Sequence, residues 1–348
     1  MRVLYLGASD PSSTSRQRAE ALRRLGHQVD LLDPYQAVKR HTQGWLGALH
    51  YRTGYLMIRQ TVHRWLQDAM AKLSDHDVCW VDNGELLSPA SLQTLKRRAD
   101  QLVLFNHDDP SGTRDHARFM TLRHAMGGYD LCVVVRPMNV PEFQALGARN
   151  VMRVWMSYDE VAHQATDANR PIDPQYDNDI VFIGRCMNGE GRDLFMLTLI
   201  QQGLQPAIWG DNWQSSAVWP ALQAHWRGPS LSGQAYVDAI RGAKVCIGML
   251  SKGNRDQHTT RTMEIPAAGG LLCAERTAEH LQLYRDGEEA VFWSSPQECA
   301  EQCHALLADP VRRDRIRRAG HRRLIANRVG HEDLCRGVLQ RLSELKVA

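Results

Sequence analysis

The sequence predicts an α/β chain of two successive domains, each a parallel sheet with helices on both faces. Three observations predict it. Short apolar runs recur along the 348 residues, and amphipathic stretches with helical spacing separate them. Most runs end in a glycine or a knot of polar residues, as strands buried on both faces do at their carboxyl ends. A polar, proline-containing stretch, YDEVAHQATDANRPIDPQYD (158–177), interrupts the alternation near the middle, and the alternation then resumes. It reads as a linker, so the expected domains are 1–160 and 161–348, with the last helix free to cross back.

Residues 3–6 form a first strand that enters Gly7. The loop GASDPSSTS follows, then the helix SRQRAEALRRLG with Ala19, Leu22 and Leu25 on its apolar side, then the strand QVDLLDP. This β-loop-α-β unit is Rossmann-like, yet Gly7 has no glycine partners, which disfavours a nicotinamide dinucleotide. The serine-rich loop, with Ser9, Asp10, Ser12, Ser13 and Thr14, reads equally as a solvated turn or a substrate contact. Residues 35–55 mix aromatic, basic and glycine residues before a helix with Val62, Leu66, Ala69 and Leu73 on one face. DVCWVDNG (77–84) is the third strand, with Asp82, Asn83 and Glu85 at its end. Ser88-Pro89 opens the next helix. QLVLFNHDDP (101–110) empties into Asn106, His107, Asp108 and Asp109. YDLCVVVRP (129–137) and NVMRVWMS (150–157) complete six strands. The second set has strands at 178–184, 206–210, 244–250 and 271–274, with helices at 192–202 and over GQAYVDAIRGA.

A net charge of +3, with 43% hydrophobic and 23% charged residues, describes an ordinary globular chain and argues against a nucleic-acid partner. The eight cysteines mostly sit inside apolar runs, as small core residues, and a reducing compartment fits them better than disulfides. Cys299 and Cys303 lie one helical turn apart beside His304, but no second pair has zinc-like spacing. The N-terminal apolar run is too short for a signal peptide, and no stretch is long enough to span a membrane, so a cytoplasmic protein is expected. The basic run DPVRRDRIRRAGHRRLIANR reads as a solvated helix face or a peripheral contact with an anionic membrane.

The most informative stretch is KGNRDQHTTRTMEIPAAGGLLCAE (252–275). Lys252, Asn254, Arg255, His258, Thr259, Thr260 and Arg261 make a loop rich in donors. A helix starts near Thr260 with a threonine as cap, carries Glu264 in its first turn and ends at Gly269-Gly270. A helix N-terminus flanked by cations suits phosphate. Glu264 would repel phosphate, but it suits a ribose diol beside it.

The run RTMEIPAAGG, followed by AEHLQLYRDGEEAVFW read as an acidic helix, resembles the GT-B glycosyltransferases, most closely the spore-maturation (CgeB-type) branch. The resemblance is strongest over 180–326. It implies two Rossmann-like domains facing each other, an N-terminal acceptor domain and a C-terminal nucleotide-sugar donor domain. It implies that Glu264 holds the donor ribose. Arg185, Lys252, Arg255, Arg261 and the amides around Thr260 would take the diphosphate without a metal cofactor. The turn from Trp209 to Trp213 could flank the base or the sugar. Many relatives carry a second glutamate eight positions earlier, where this chain has Asp256, which leaves the stereochemical outcome open. NHDDP is similar to a His-x-Asp-Pro run of the resembling proteins, which makes His107 and Asp108 the leading catalytic groups, with Glu85 and Asp10 behind them. Structural and metal roles for 107–109 stay open, although adjacent residues on an extended chain point to opposite faces. The expected function is sugar transfer from a nucleotide-sugar donor to a glycan, lipid-linked sugar, metabolite or protein. The alternatives are a nucleotide-sugar epimerase of the same fold and a non-catalytic nucleotide-sugar binder.

Overall fold

The computed structural model describes residues 1–164 and 171–347. Part of the expected linker, 165–170, lies outside the described residues. The chain divides into two units: Met1–Trp155 with Gly253–Arg255 and His331–Ala348, and Met156–Lys252 with Asp256–Gly330.

The first unit holds β1 (Arg2–Leu6), β2 (Gln28–Leu32), β3 (His76–Asp82), β4 (Ala99–Asn106), β5 (Leu131–Val134) and β6 (Val151–Arg153). They form one parallel sheet in the order β2-β1-β3-β4-β5-β6. Val3, Leu4, Tyr5 and Leu6 are fully buried, as are Leu102, Val103 and Leu104, so these strands need apolar residues on both faces. Their helices begin where hydroxyls can cap them. Ser13 Oγ accepts from the Arg16 amide at the start of Thr14–Arg24, and Ser88 does so for Ser91 at the start of Pro89–Lys96. The last helix, His331–Val347, belongs to this unit. It packs on Thr14–Arg24, buries Cys335, Val338 and Leu342, and receives the Gln101 amide on the Leu342 carbonyl.

The second unit holds β7 (Asn178–Ile183), β8 (Pro206–Trp209), β9 (Trp226–Gly228), β10 (Ala243–Gly248), β11 (Leu272–Glu275) and β12 (Val291–Trp293). This sheet is also parallel, in the order β12-β11-β10-β7-β8-β9. It has two edge strands beyond those expected. The run expected to be one acidic helix stops as a helix at Leu283. The chain then turns through Gly287 at φ +73°, and the buried Val291, Phe292 and Trp293 pair with β11. A β-branched and aromatic triplet favours a strand there.

In each sheet the chain starts at one strand and winds outward in both directions. The reversal falls between β1 and β3 in the first sheet and between β7 and β10 in the second. Ligands of such sheets bind in the crevice outside the carboxyl ends at that point.

Candidate functional site

In the second unit the loop after β7 and the loop after β10 flank the reversal. Both Glu190 carboxylate oxygens join them, accepting from Ser251 Oγ at 3.0 Å and from the Lys252 amide at 2.8 Å. Arg261, in the first turn of the helix Thr260–Ala267, donates through Nε to the Ile183 carbonyl at the end of β7, at 2.6 Å. Arg185, exposed two residues further on, faces the side-chain oxygen of Asn212 with Nε at 2.8 Å and Nη2 at 2.7 Å. The turn that carries Asn212 sits tightly on this loop. Trp213 Nε1 donates to the Gly184 carbonyl, and a Cβ at Gly210 would lie 2.1 Å from that same oxygen. Arg185, Thr260, Arg261 and Lys252 are therefore set on two loops and one helix end at the carboxyl side of β7 and β10.

The helix start is closed by Thr259 and Thr262, whose side chains and amides cap each other. That leaves the amides of the first two helical residues, Thr260 and Arg261, as donors for an anion. Glu264 lies in the second turn rather than the first, because the cap is Thr259 and the box closes on a threonine at the third helical position. It is 6% exposed, and Tyr236 donates to its Oε2 at 2.6 Å. His163 Nδ1 accepts from the Asp159 amide, which places the ring proton on Nε2, 3.6 Å from Glu264 Oε1. Burial, then the Glu264 carboxylate, pushes the Tyr236 phenol well up, so it stays a donor.

Two histidines support this helix end. His258, fully enclosed, accepts the Met156 amide on Nε2 at 2.9 Å and meets Glu279 through Nδ1 at 2.5 Å. His280 donates from Nδ1 to the Glu275 carbonyl and accepts the Thr262 hydroxyl on Nε2. Its burial lowers its pKa to about 4, so it is neutral.

Arg255 lies apart from these cations. It falls in the segment assigned to the first unit, where Nε and Nη2 grip the Asp109 carboxylate, each at 2.6 Å, and Nη1 and Nη2 reach Glu142 at 2.7 and 2.9 Å. Those bonds hold Glu142 down to about 2, with the Arg255 bond the largest cause. Arg114 donates to the Asn254 side chain next to it, so the tip of the loop is fastened by two carboxylates and a guanidinium.

In the first unit the crevice between β1 and β3 contains a buried pair, Arg18 and Asp82, at 2.8 Å, with the guanidinium 4.2 Å over Phe105. Glu85 and Asp108 share Arg118, at 2.5 and 3.2 Å, and Glu85 also accepts from Tyr35 at 3.0 Å. Burial pushes Glu85 up against the pull of Arg118. Burial opposes ionisation of Asp108 too, but His107, Arg118, Arg136 and Arg114 outweigh it and hold Asp108 low. His107 differs from both carboxylates. Its Nδ1 has no hydrogen-bond partner among the described residues, and burial lowers its pKa. Sequence reading missed Arg118, which lies in an irregular loop where no spacing marks it. It also missed Tyr236 and His163, whose polar ends an apolar period does not report.

Among the described residues, one set of three potential metal ligands converges, the Cys273, Cys299 and Cys303 thiols, all buried in the second unit. His304 turns away to the Gln202 carbonyl. All eight cysteines are free thiols.

Residues 192–330 match the family model described as glycosyl transferase-like. No curated protein matches the sequence. The fold matches sucrose-phosphate synthase from Thermosynechococcus elongatus at a TM-score of 0.69 and 15% identity, over 98% of each chain. It matches Anabaena Alr3699/HepE in complex with UDP-glucose at a TM-score of 0.64 and 12% identity, over 99% of this chain and 100% of that one. It also matches AviGT4, a glycosyltransferase involved in avilamycin A biosynthesis, at a TM-score of 0.60 and 15% identity, over 100% and 99% of the two chains. The chain thus has the two-sheet GT-B fold, and most of its second unit is glycosyl transferase-like in sequence. No helix among the described residues is long and apolar enough to cross a membrane.

Proposed function

We propose that this protein is a glycosyltransferase that takes a sugar from a nucleotide diphosphate donor held by the second unit. One observation carries the reading. A buried glutamate, oriented by a tyrosine, stands one helical turn behind a free helix N-terminus at the sheet's reversal, inside the segment that matches the family model. That arrangement suits a ribose diol on Glu264 and a diphosphate on the Thr260 and Arg261 amides, with Arg185, Lys252 and Arg261 as the cations. These groups neutralise the leaving diphosphate without a metal ion. Arg255, engaged by Asp109 and Glu142, is not among these cations. UDP is the first donor nucleotide to test, because Alr3699/HepE binds UDP-glucose.

The acceptor reading belongs to the first unit. Trp45, 75% exposed, stands on the helix Gly44–Arg52, whose aromatic and basic residues suit a sugar or glycan. His107 is the proposed base, with Asp108 and Glu85 positioned by Arg118. The RTMEIPAAGG run supports the spore-maturation branch as the kind of glycosyltransferase proposed. Free thiols in every position suit the cytoplasm.

Calorimetric titration of UDP tests the site. Glu264→Ala and Arg261→Ala should each weaken binding at least tenfold, and Tyr236→Phe should weaken it less. Glu264→Ala and Arg261→Ala each remove a hydrogen bond in which one partner is charged, worth about 1.5–3 kcal/mol, whereas Tyr236→Phe only frees the glutamate that it orients. Unchanged UDP affinity in Glu264→Ala would place the nucleotide elsewhere.

A further inference from the structure

The helix Pro310–Asn327 carries seven arginines, and the structure sorts six of them into two groups. Arg313, Arg317 and Arg323 donate to the carbonyls of Leu306, Gly269 and Leu283, and His321 meets the Pro266 carbonyl at 2.8 Å. Those side chains hold the helix to its own unit, together with the buried Ile316, Gly320 and Leu324. The packing is close, since a Cβ at Gly320 would lie 2.3 Å from the Glu289 carbonyl. Arg315, Arg318 and Arg322 point the other way and are exposed. Arg318 leans on Asp314 at 2.8 Å, while Arg315 and Arg322 form no ion pair among the described residues.

Positions 315, 318 and 322 fall on one helical stripe, and the stripe continues at both ends with apolar residues. Val311 is 79% exposed and Ile325 is 49% exposed. The whole stripe is about 21 Å long at the rise of an α-helix. Beside it opens a cavity of about 630 Å³ lined by Arg241, Arg317, Arg318, His321 and Arg322.

We propose that this face docks on an anionic phospholipid surface. The three arginines meet headgroup phosphates, Val311 and Ile325 enter the boundary with the acyl chains, and the arginine-lined cavity takes a phosphate headgroup. Charge complementarity selects an anionic partner. The exposed aliphatic pair selects a bilayer over a nucleic acid, whose phosphodiester backbone offers those side chains no apolar partner. None of these residues belongs to the proposed nucleotide site, so the two readings stand or fall separately.

The test is sedimentation of the full chain with vesicles of phosphatidylcholine and phosphatidylglycerol, against vesicles of phosphatidylcholine alone. Only the mixed vesicles should bring the protein down, and added salt should release it. The variant Arg315→Ser/Arg318→Ser/Arg322→Ser should lower partitioning by about a hundredfold. Val311→Ser/Ile325→Ser should lower it by about tenfold. All five residues are exposed, and unchanged circular dichroism and UDP affinity would confirm intact variants. Equal sedimentation with both vesicle types, or no loss in the arginine variant, would overturn the proposal. So would arginine-dependent binding of a DNA duplex that ignores Val311 and Ile325, which marks a general polyanion surface. Thermal stabilisation by inorganic phosphate without vesicle binding would mark a soluble phosphate site and overturn it equally.

Discussion

His107 and the two carboxylates near it sit in different electrostatic surroundings in the first unit. Glu85 and Asp108 already accept from Arg118; Asp108 is held low by the charges around it, whereas burial pushes Glu85 up. His107 keeps Nδ1 without a partner among the described residues, and desolvation favours its neutral form. A base works when deprotonated, so a lowered pKa moves the acid limb of kcat/KM below pH 6.5, the ordinary value for the ring. His107→Gln should remove that limb and slow turnover by about 10²–10⁴-fold. A limb unmoved in the variant would transfer the role to another group, Glu85 first. His107 stood out as a candidate in NHDDP, because strand-end polar residues are conspicuous after an apolar run. Its environment was not, since Arg18, Arg118 and Arg136 arrive from other elements.

At the scale of elements, the strands with long apolar runs were readable and the three-residue edge strands of the second sheet were not. β9 and β12 are too short to set a period, and β12 follows a helix whose acidic surroundings masked the change. The start of Thr260–Ala267 was legible to within a residue from its threonines. The box between Thr259 and Thr262 then moved Glu264 into the second turn. What fixes that helix start is neutral His280, stacked on Phe292 at 5.3 Å and hydrogen-bonded to Thr262. Its pKa of about 4 lies below the 6.5 of the unfolded chain, so acid favours unfolding. The contribution is complete above pH 6.5 and is lost as the pH falls through 4, an effect on the order of 3 kcal/mol. Urea midpoints measured from pH 7 to 4.5 should fall more steeply for the wild type than for His280→Asn, which is less stable at pH 7. Parallel curves would mean that this ring does not titrate as its burial requires.

At the scale of the whole molecule, the chain enters the first unit twice more after Trp155, at Gly253–Arg255 and at His331–Ala348. The second return carries structural weight in its apolar face. Leu334, Cys335, Val338, Leu339 and Leu342 are all buried, and the first turns of the helix lie against Thr14–Arg24 with the Cys335 thiol near the Arg18 carbonyl. The ion pairs Arg24–Glu332 and Lys346–Asp100 lie at the surface and add little. Burial of a large aliphatic side chain contributes about 1.5–3 kcal/mol, so the leucines and valine of this helix amount to much of a domain's net stability. A chain ended at Gly330 should therefore lose protection in the first unit alone. Amide hydrogen exchange should quicken across β1 to β6, while β7, β8, β10 and β11 keep their protection and UDP affinity is unchanged. Equal loosening of both sheets would mean that the two units unfold as one. Unchanged exchange in β1 to β6 would reduce the helix to an appendage, against the burial of its entire inner face.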